Sequence, residues 1–220
     1  MASLTYKFTG NEKTPAEITL NEYTTPIWIQ QKWESGKYAE YIRKNGCGHC
    51  CTAMALNLNG VKITPHEEFE LCRKLWGEPR MHEPFNEDNF ISASGIVKII
   101  KHFGVFAKCF GVENGKSNEA AKHIKEMLLK GKQVILGSHP SEKLLNNPFS
   151  SGKHYILAVG IDDEGKVLIA NSSERAATKY GIQHTDVETI AKVLYEGCEP
   201  WDFTWGRYDP AHNGGYVVVG

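Results

Sequence analysis

Near residue 131 the chain changes character, and that change restricts the folds open to it. Before it come capped, helix-periodic segments. Cys47 to Asn59 reads as a helix closed by Asn59-Gly60. Thr64-Pro65-His66-Glu67 spells a capping box with proline at the first helical position, and Phe69, Cys72 and Trp76 then share a face. Ser94 caps a helix carrying Ile96, Val97, Ile99, Ile100 and Phe103, stopped by Gly104; Val105 to Val112 reads as a strand. Ser117 caps a further helix, with Ile124, Met127 and Leu128 inward and Gly131 at its end. Beyond it, Gln133 to Gly137 is a short buried strand and 139–152 a loop rich in Pro, Ser and Asn. His154 to Ile161 and Lys166 to Asn171 form a hairpin around Asp162-Asp163-Glu164-Gly165. Thr185-Asp186-Val187-Glu188 opens a helix to about Tyr195, and Phe203–Trp205 and Tyr216–Val219 read as closing strands. The first 45 residues read as strand and loop. Helices first and antiparallel strands second predict an α+β fold, with one domain over residues 1–220 and an N-terminal extension over about 1–25.

Composition removes several functions. Formal net charge is −1 with both signs mixed along the chain, so nucleic acid has no electrostatic foothold. No apolar run approaches the roughly 20 residues that span a bilayer, and Met1 to Gly10 lacks the apolar core of a signal peptide. The chain reads as cytoplasmic or, alternatively, as secreted with an export signal absent from this sequence. Of the six cysteines, Cys50 and Cys51 are adjacent, while Cys72 and Cys109 sit among apolar residues. A reduced setting is the simpler reading.

Residues 46–54 carry the chemistry: Gly-Cys-Gly-His-Cys-Cys-Thr-Ala-Met. Cys47 opens a helix, where backbone N–H groups and the dipole favour a thiolate, and its own N–H is one candidate oxyanion donor. Gly46 and Gly48 signal a close approach by a substrate or another backbone. His154 heads the strand His-Tyr-Ile-Leu-Ala-Val-Gly behind an exposed loop, and Asn171 ends the strand paired with it. The two strand ends can lie side by side at one rim. The asparagine oxygen then accepts from one imidazole nitrogen and leaves the other for Cys47. Each residue alone has a plainer reading: helix packing for Cys47, a strand-edge histidine, a turn asparagine before Ser172-Ser173. Asp162 and Asp163 are better explained by the hairpin turn.

Pro26-Ile-Trp-Ile-Gln30, Asn45-Gly-Cys47-Gly with Ala53-Met54, Gly152-Lys-His154 with Val159-Gly160, and Asn171 together resemble the papain-like cysteine peptidases. The closest resemblance is to stand-alone bacterial relatives of the bacteriocin-leader (double-glycine) processing type, over residues 26 to about 171. The resemblance implies a papain-like fold and hydrolysis of a peptide or amide bond through a thioester. Cys47 would be the nucleophile, His154 the base and acid, and Asn171 the orienter. Gln30, with Gln31 as its neighbour, would complete the oxyanion hole. His49 stands where many relatives have proline, and Asn171 where many have aspartate. Gln30 lies much further ahead of the cysteine than in papain, so 32–44 must loop out. A peptide or protein substrate is implied, with no cofactor.

Two other classes stay open: a peptide-binding member without activity, and a thiol-disulfide oxidoreductase using Cys47 and Cys50. Cys47-Gly-His-Cys50 suits a redox pair, but its approach, Tyr41-Ile-Arg-Lys-Asn-Gly, is charged and loop-like where a thioredoxin has a buried strand. Cys47, His49, Cys50 and Cys51 crowd too closely to surround one tetrahedral ion, so no metal is expected there. Gly111 to Ser117 lacks the spacing of a phosphate loop.

Overall fold

The computed structural model describes residues 3–33, 36–76, 91–138, 147–174, 180–194, 196 and 215–220. Three short strands come first, β1 (Leu4–Phe8), β2 (Ala16–Leu20) and β3 (Tyr23–Pro26), paired in that order as an antiparallel sheet. Ala16, Ile18 and Leu20, alternate residues of β2, point into the same core as the helices. Strand β2, within the expected N-terminal extension, is thus packed into the core. Helices α1 (Ala39–Asn45), α2 (Cys47–Asn57) and α3 (Pro65–Trp76) follow, then α4 (Ala93–His102), β4 (Ala107–Phe110) and α5 (Ser117–Leu129). The second half supplies β5 (Gln133–Ser138), β6 (His154–Ile161), β7 (Val167–Ala170), β8 (Ile182–Thr185), α6 (Val187–Val193) and β9 (Tyr216–Val219).

The larger sheet has the order β4-β9-β5-β6-β7-β8, with every neighbour antiparallel. Both of its faces are covered, which is why its strands read as continuous apolar runs. Leu157 and Val159 pack with α2 and α4, whereas Ile156 and Ala158 pack with α5 and α6; Val217 and Val218 divide the same way. This is the α+β architecture expected, with helices on an antiparallel sheet.

Local chemistry sets the boundaries. The Thr64 capping box forms: its N–H and hydroxyl donate to the Glu67 carboxylate, and the Glu67 N–H returns to Thr64 Oγ1. The β6–β7 turn is closed by Asp162 Oδ1, which accepts the N–H groups of Glu164 and Lys166, with Gly165 at φ +78°. Helix α4 begins two residues earlier than the Ser94 cap predicts, because Ser92 Oγ takes the Gly95 N–H. Ser117 is the first helical residue, with Lys116 as cap. Residues 39–45, expected as loop, form α1. The expected strand Phe203–Trp205, together with Cys198, lies outside the described residues.

Candidate active site

Gly46 closes α1 and caps α2, so the two helices meet at one residue. A Cβ there would lie 2.4 Å from the Ile42 carbonyl oxygen; at Gly48 it would lie 2.2 Å from Ile91 Cγ2 and 3.2 Å from the Tyr155 ring. The close approaches that the two glycines signal are therefore made by the protein itself. They seat the first turn of α2 against β6, with Cys47 at its head. The backbone N–H groups of Tyr155, Gly48 and Cys47 itself face the sulfur. Tyr155 follows His154 in the chain, so nucleophile candidate and base candidate approach through neighbouring backbone.

The helix start favours a thiolate, yet burial outweighs it. Cys47 is 1% exposed, and burial pushes its thiol up to about 11, opposed by the N–H group of Tyr155 and then by those of Gly48 and Cys47. Burial likewise holds the His154 imidazolium down to about 4, against a smaller raising effect of its bond to Asn171. In this closed state both groups are neutral near pH 7.

The asparagine is oriented with no freedom. Its Nδ2 donates to the Phe149 carbonyl at 3.0 Å and to Gln183 Oε1 at 2.8 Å. Gln183 is itself fixed, because its Nε2 donates to the Pro148 carbonyl at 2.8 Å. Two acceptors on one side force the amide nitrogen to face them. Oδ1 must then face the other way, where it accepts the Ser173 N–H and lies 2.9 Å from His154 Nε2. That nitrogen carries the hydrogen, so the neutral ring keeps its lone pair on Nδ1. Gln183 was not singled out in the sequence, and no local signal marks it, since Ile182, Gln183 and Thr185 of β8 are all buried.

Gln30 lies in a 3-10 turn (Gln30–Lys32) and is 4% exposed. Its N–H donates to the Ser172 carbonyl at 2.9 Å, tying it to the residue after Asn171. Its Nε2 donates to the Arg43 carbonyl at 3.2 Å, while Oε1 is buried without a hydrogen-bond partner. Arg43 also reaches back, Nη1 donating to the Trp33 carbonyl at 3.0 Å. The expected loop-out between Gln30 and Cys47 therefore contains α1, pinned at Arg43. Gln31 is used otherwise: its Oε1 accepts the Glu174 N–H. A cavity of about 490 Å³ opens beside this turn between Asn11, Glu12, Ile29, Lys32, Glu174 and Tyr180, but none of Cys47, His154 and Asn171 lines it.

Cys50 lies a turn further into α2, fully buried, its thiol pushed well above the usual range by burial and then by Cys47 and Glu68. Both thiols of the possible redox pair, Cys47 and Cys50, are thus buried and held above the usual range in this structure. Among the described residues no helix is long and apolar enough to cross a membrane.

The fold is that of the papain-like cysteine peptidases. The chain is a member of the Peptidase_C39-like family, whose profile matches residues 24–198. No curated protein matches the chain. Among solved structures it is similar to one described as a C39-like peptidase from Bacillus anthracis, with 13% identity over 80% of this chain and 88% of the other, at a TM-score of 0.47.

Proposed function

We propose that this chain is a cysteine peptidase that cleaves a peptide or amide bond of a peptide or protein substrate through Cys47, His154 and Asn171. The observation that carries the reading is the locked Asn171 amide. It presents His154 with Nε2–H outward and Nδ1 as base, on the strand whose next backbone N–H faces the Cys47 sulfur.

The neutral resting pair defines the chemistry. As Cys47 Sγ attacks the carbonyl carbon, its proton passes to His154 Nδ1, so charge develops only along the reaction path. The imidazolium then protonates the leaving amine. Water, deprotonated by the same nitrogen, releases the acyl group from the thioester. The Cys47 N–H and the second Nε2 hydrogen of Gln30 are the candidate oxyanion donors, each contributing about 3 kcal/mol.

A peptide library read by mass spectrometry tests the reading. Cleavage by the parent chain, lost in Cys47→Ala and in His154→Ala with the fold retained, is expected. Cleavage that survives Cys47→Ala would assign the activity elsewhere, and a chain that binds peptides without cleaving any would be a binding member of the fold.

A further inference from the structure

Two residues beyond the nucleophile candidate, His49 points away from the chemistry above and into a polar cluster sealed inside the protein. His49 on α2 meets Glu68 and Cys72 on α3, and all three are 0% exposed. Glu68 and Cys72 are four residues apart and so share one helix face. The His49 Nδ1 contacts Glu68 Oε2, and the Cys72 thiol donates to Glu68 Oε1 at 3.4 Å. One imidazole nitrogen, one carboxylate oxygen and one sulfur all lie within 4.8 Å of one another. Around them are apolar rings: Phe69 stands edge-on to His49 at 4.9 Å between centroids, and Tyr41 is 5.8 Å away.

A fully buried carboxylate is costly unless a charge or a full set of donors answers it. The donor set here, one soft thiolate with one imidazole and one hard oxygen, matches a borderline divalent ion of the zinc class, which would enter by parting the contact between Nδ1 and the carboxylate. We propose that His49, Glu68 and Cys72 bind a single zinc-class ion that clamps the first turn of α2 to α3. The fourth position falls to a water. Binding requires the Cys72 thiol proton to leave. The hydrogen between Nδ1 and the carboxylate must also vacate that line, to Nε2 or to solvent. The site is structural: it has no opening for substrate, and the proposed reaction uses none of its residues.

The test is metal analysis of the full-length protein purified without chelators, followed by replacement with cobalt(II). The expected result is close to one equivalent of zinc. The cobalt form should show a near-ultraviolet thiolate-to-metal charge-transfer band with the intense visible bands of a tetrahedral ion. Cys72→Ser and Glu68→Gln should each weaken binding by more than about 100-fold, beyond the range typical of outer-shell residues, whereas Cys47→Ala should leave it intact. Should the Cys72 variant fail to fold, the zinc absorption edge of the parent protein decides, since it must report sulfur together with nitrogen and oxygen neighbours. A protein that retains no metal and gives no charge-transfer band with cobalt overturns the proposal. So does a band that persists in Cys72→Ser and vanishes in Cys47→Ala, which would place the ion on the nucleophile candidate.

Discussion

His154 Nε2 lies 2.9 Å from Asn171 Oδ1, and the direction of that hydrogen bond is set by what holds the other end of the asparagine amide. Phe149 and Gln183 hold the amide nitrogen on the far side, so the imidazole donates and cannot accept. The tautomer of the proposed base is thus written into the strand pairing of β7 and β8.

Gln183→Ala removes the acceptor that sets this orientation while leaving the Phe149 carbonyl in place. A loss of about 1–1.5 kcal/mol is expected, or about tenfold in kcat/KM, with the Cys47 labelling rate falling in parallel. Gln183→Glu still accepts from Asn171 and should retain more activity than Gln183→Ala, although it can no longer donate to Pro148. Steady-state kinetics on both variants decide the order.

Asn171→Asp is isosteric and is the choice of many relatives, yet it should be harmful here. The new carboxylate would face the Phe149 carbonyl and Gln183 Oε1, two acceptors with nothing to accept. Chemical denaturation should show a loss of about 3 kcal/mol. Gln183 can turn its amide to answer the carboxylate only by facing its own oxygen to the Pro148 carbonyl. Equal stability of the two proteins would contradict the assigned amide orientation.

The buried imidazole makes a pH prediction with a definite sign. Its folded-state value of about 4 lies below the ordinary 6.5, so between these values the unfolded chain binds more protons. The His154 contribution is complete above about pH 6.5 and is lost as pH falls toward 4, by up to about 3 kcal/mol. His154→Gln should flatten that part of the stability profile. The acidic limb of kcat/KM, which reports the free enzyme, should correspondingly lie below 6.5.

Much of the fold was legible because local signals agreed with tertiary demand. The Thr64–Glu67 box, the Asp162 turn and the apolar runs of β5, β6 and β9 each have a local cause that survives packing. The misses have physical reasons. Helix α1 is short and charged, and it is held by Gln30 donating to the Arg43 carbonyl and by Arg43 donating to the Trp33 carbonyl, contacts that a local pattern does not contain. Cys47, His154, Asn171 and Gln30 are proposed from order and context, and the structure brings His154 onto Asn171. Gln183 and the Glu68–Cys72 face were not legible, because what distinguishes them is a partner far away in sequence. The thiolate expectation for Cys47 followed the helix dipole correctly but lacked the burial that outweighs it.

Gly48→Ala tests how tightly the nucleophile turn is seated. The added methyl would sit 2.2 Å from Ile91 Cγ2 and 3.2 Å from the Tyr155 ring, so the first turn of α2 must move away from β6. Thermal denaturation should show a loss of about 1–3 kcal/mol despite the better helix propensity of alanine. Labelling of Cys47 should slow, because the Tyr155 N–H no longer faces the sulfur.

Gln30→Ala should separate binding of the oxyanion from activation of the thiol. Turnover is expected to fall by about 3 kcal/mol, or about a hundredfold. Alkylation of Cys47, which forms no oxyanion, should be nearly unchanged. Equal losses in both assays would give Gln30 a purely structural role through Arg43 and Ser172.

The most direct measurement is the alkylation rate of each cysteine at neutral pH, resolved by peptide mass spectrometry, in the parent protein and in His154→Ala. The account predicts that Cys47 reacts faster than the other cysteines despite its burial, and that His154→Ala slows it by about 10²–10⁴-fold, the usual range for loss of a general base, with circular dichroism unchanged. A Cys47 that reacts no faster than its neighbours, or that is indifferent to His154, would contradict it and leave a peptidase fold without a peptidase.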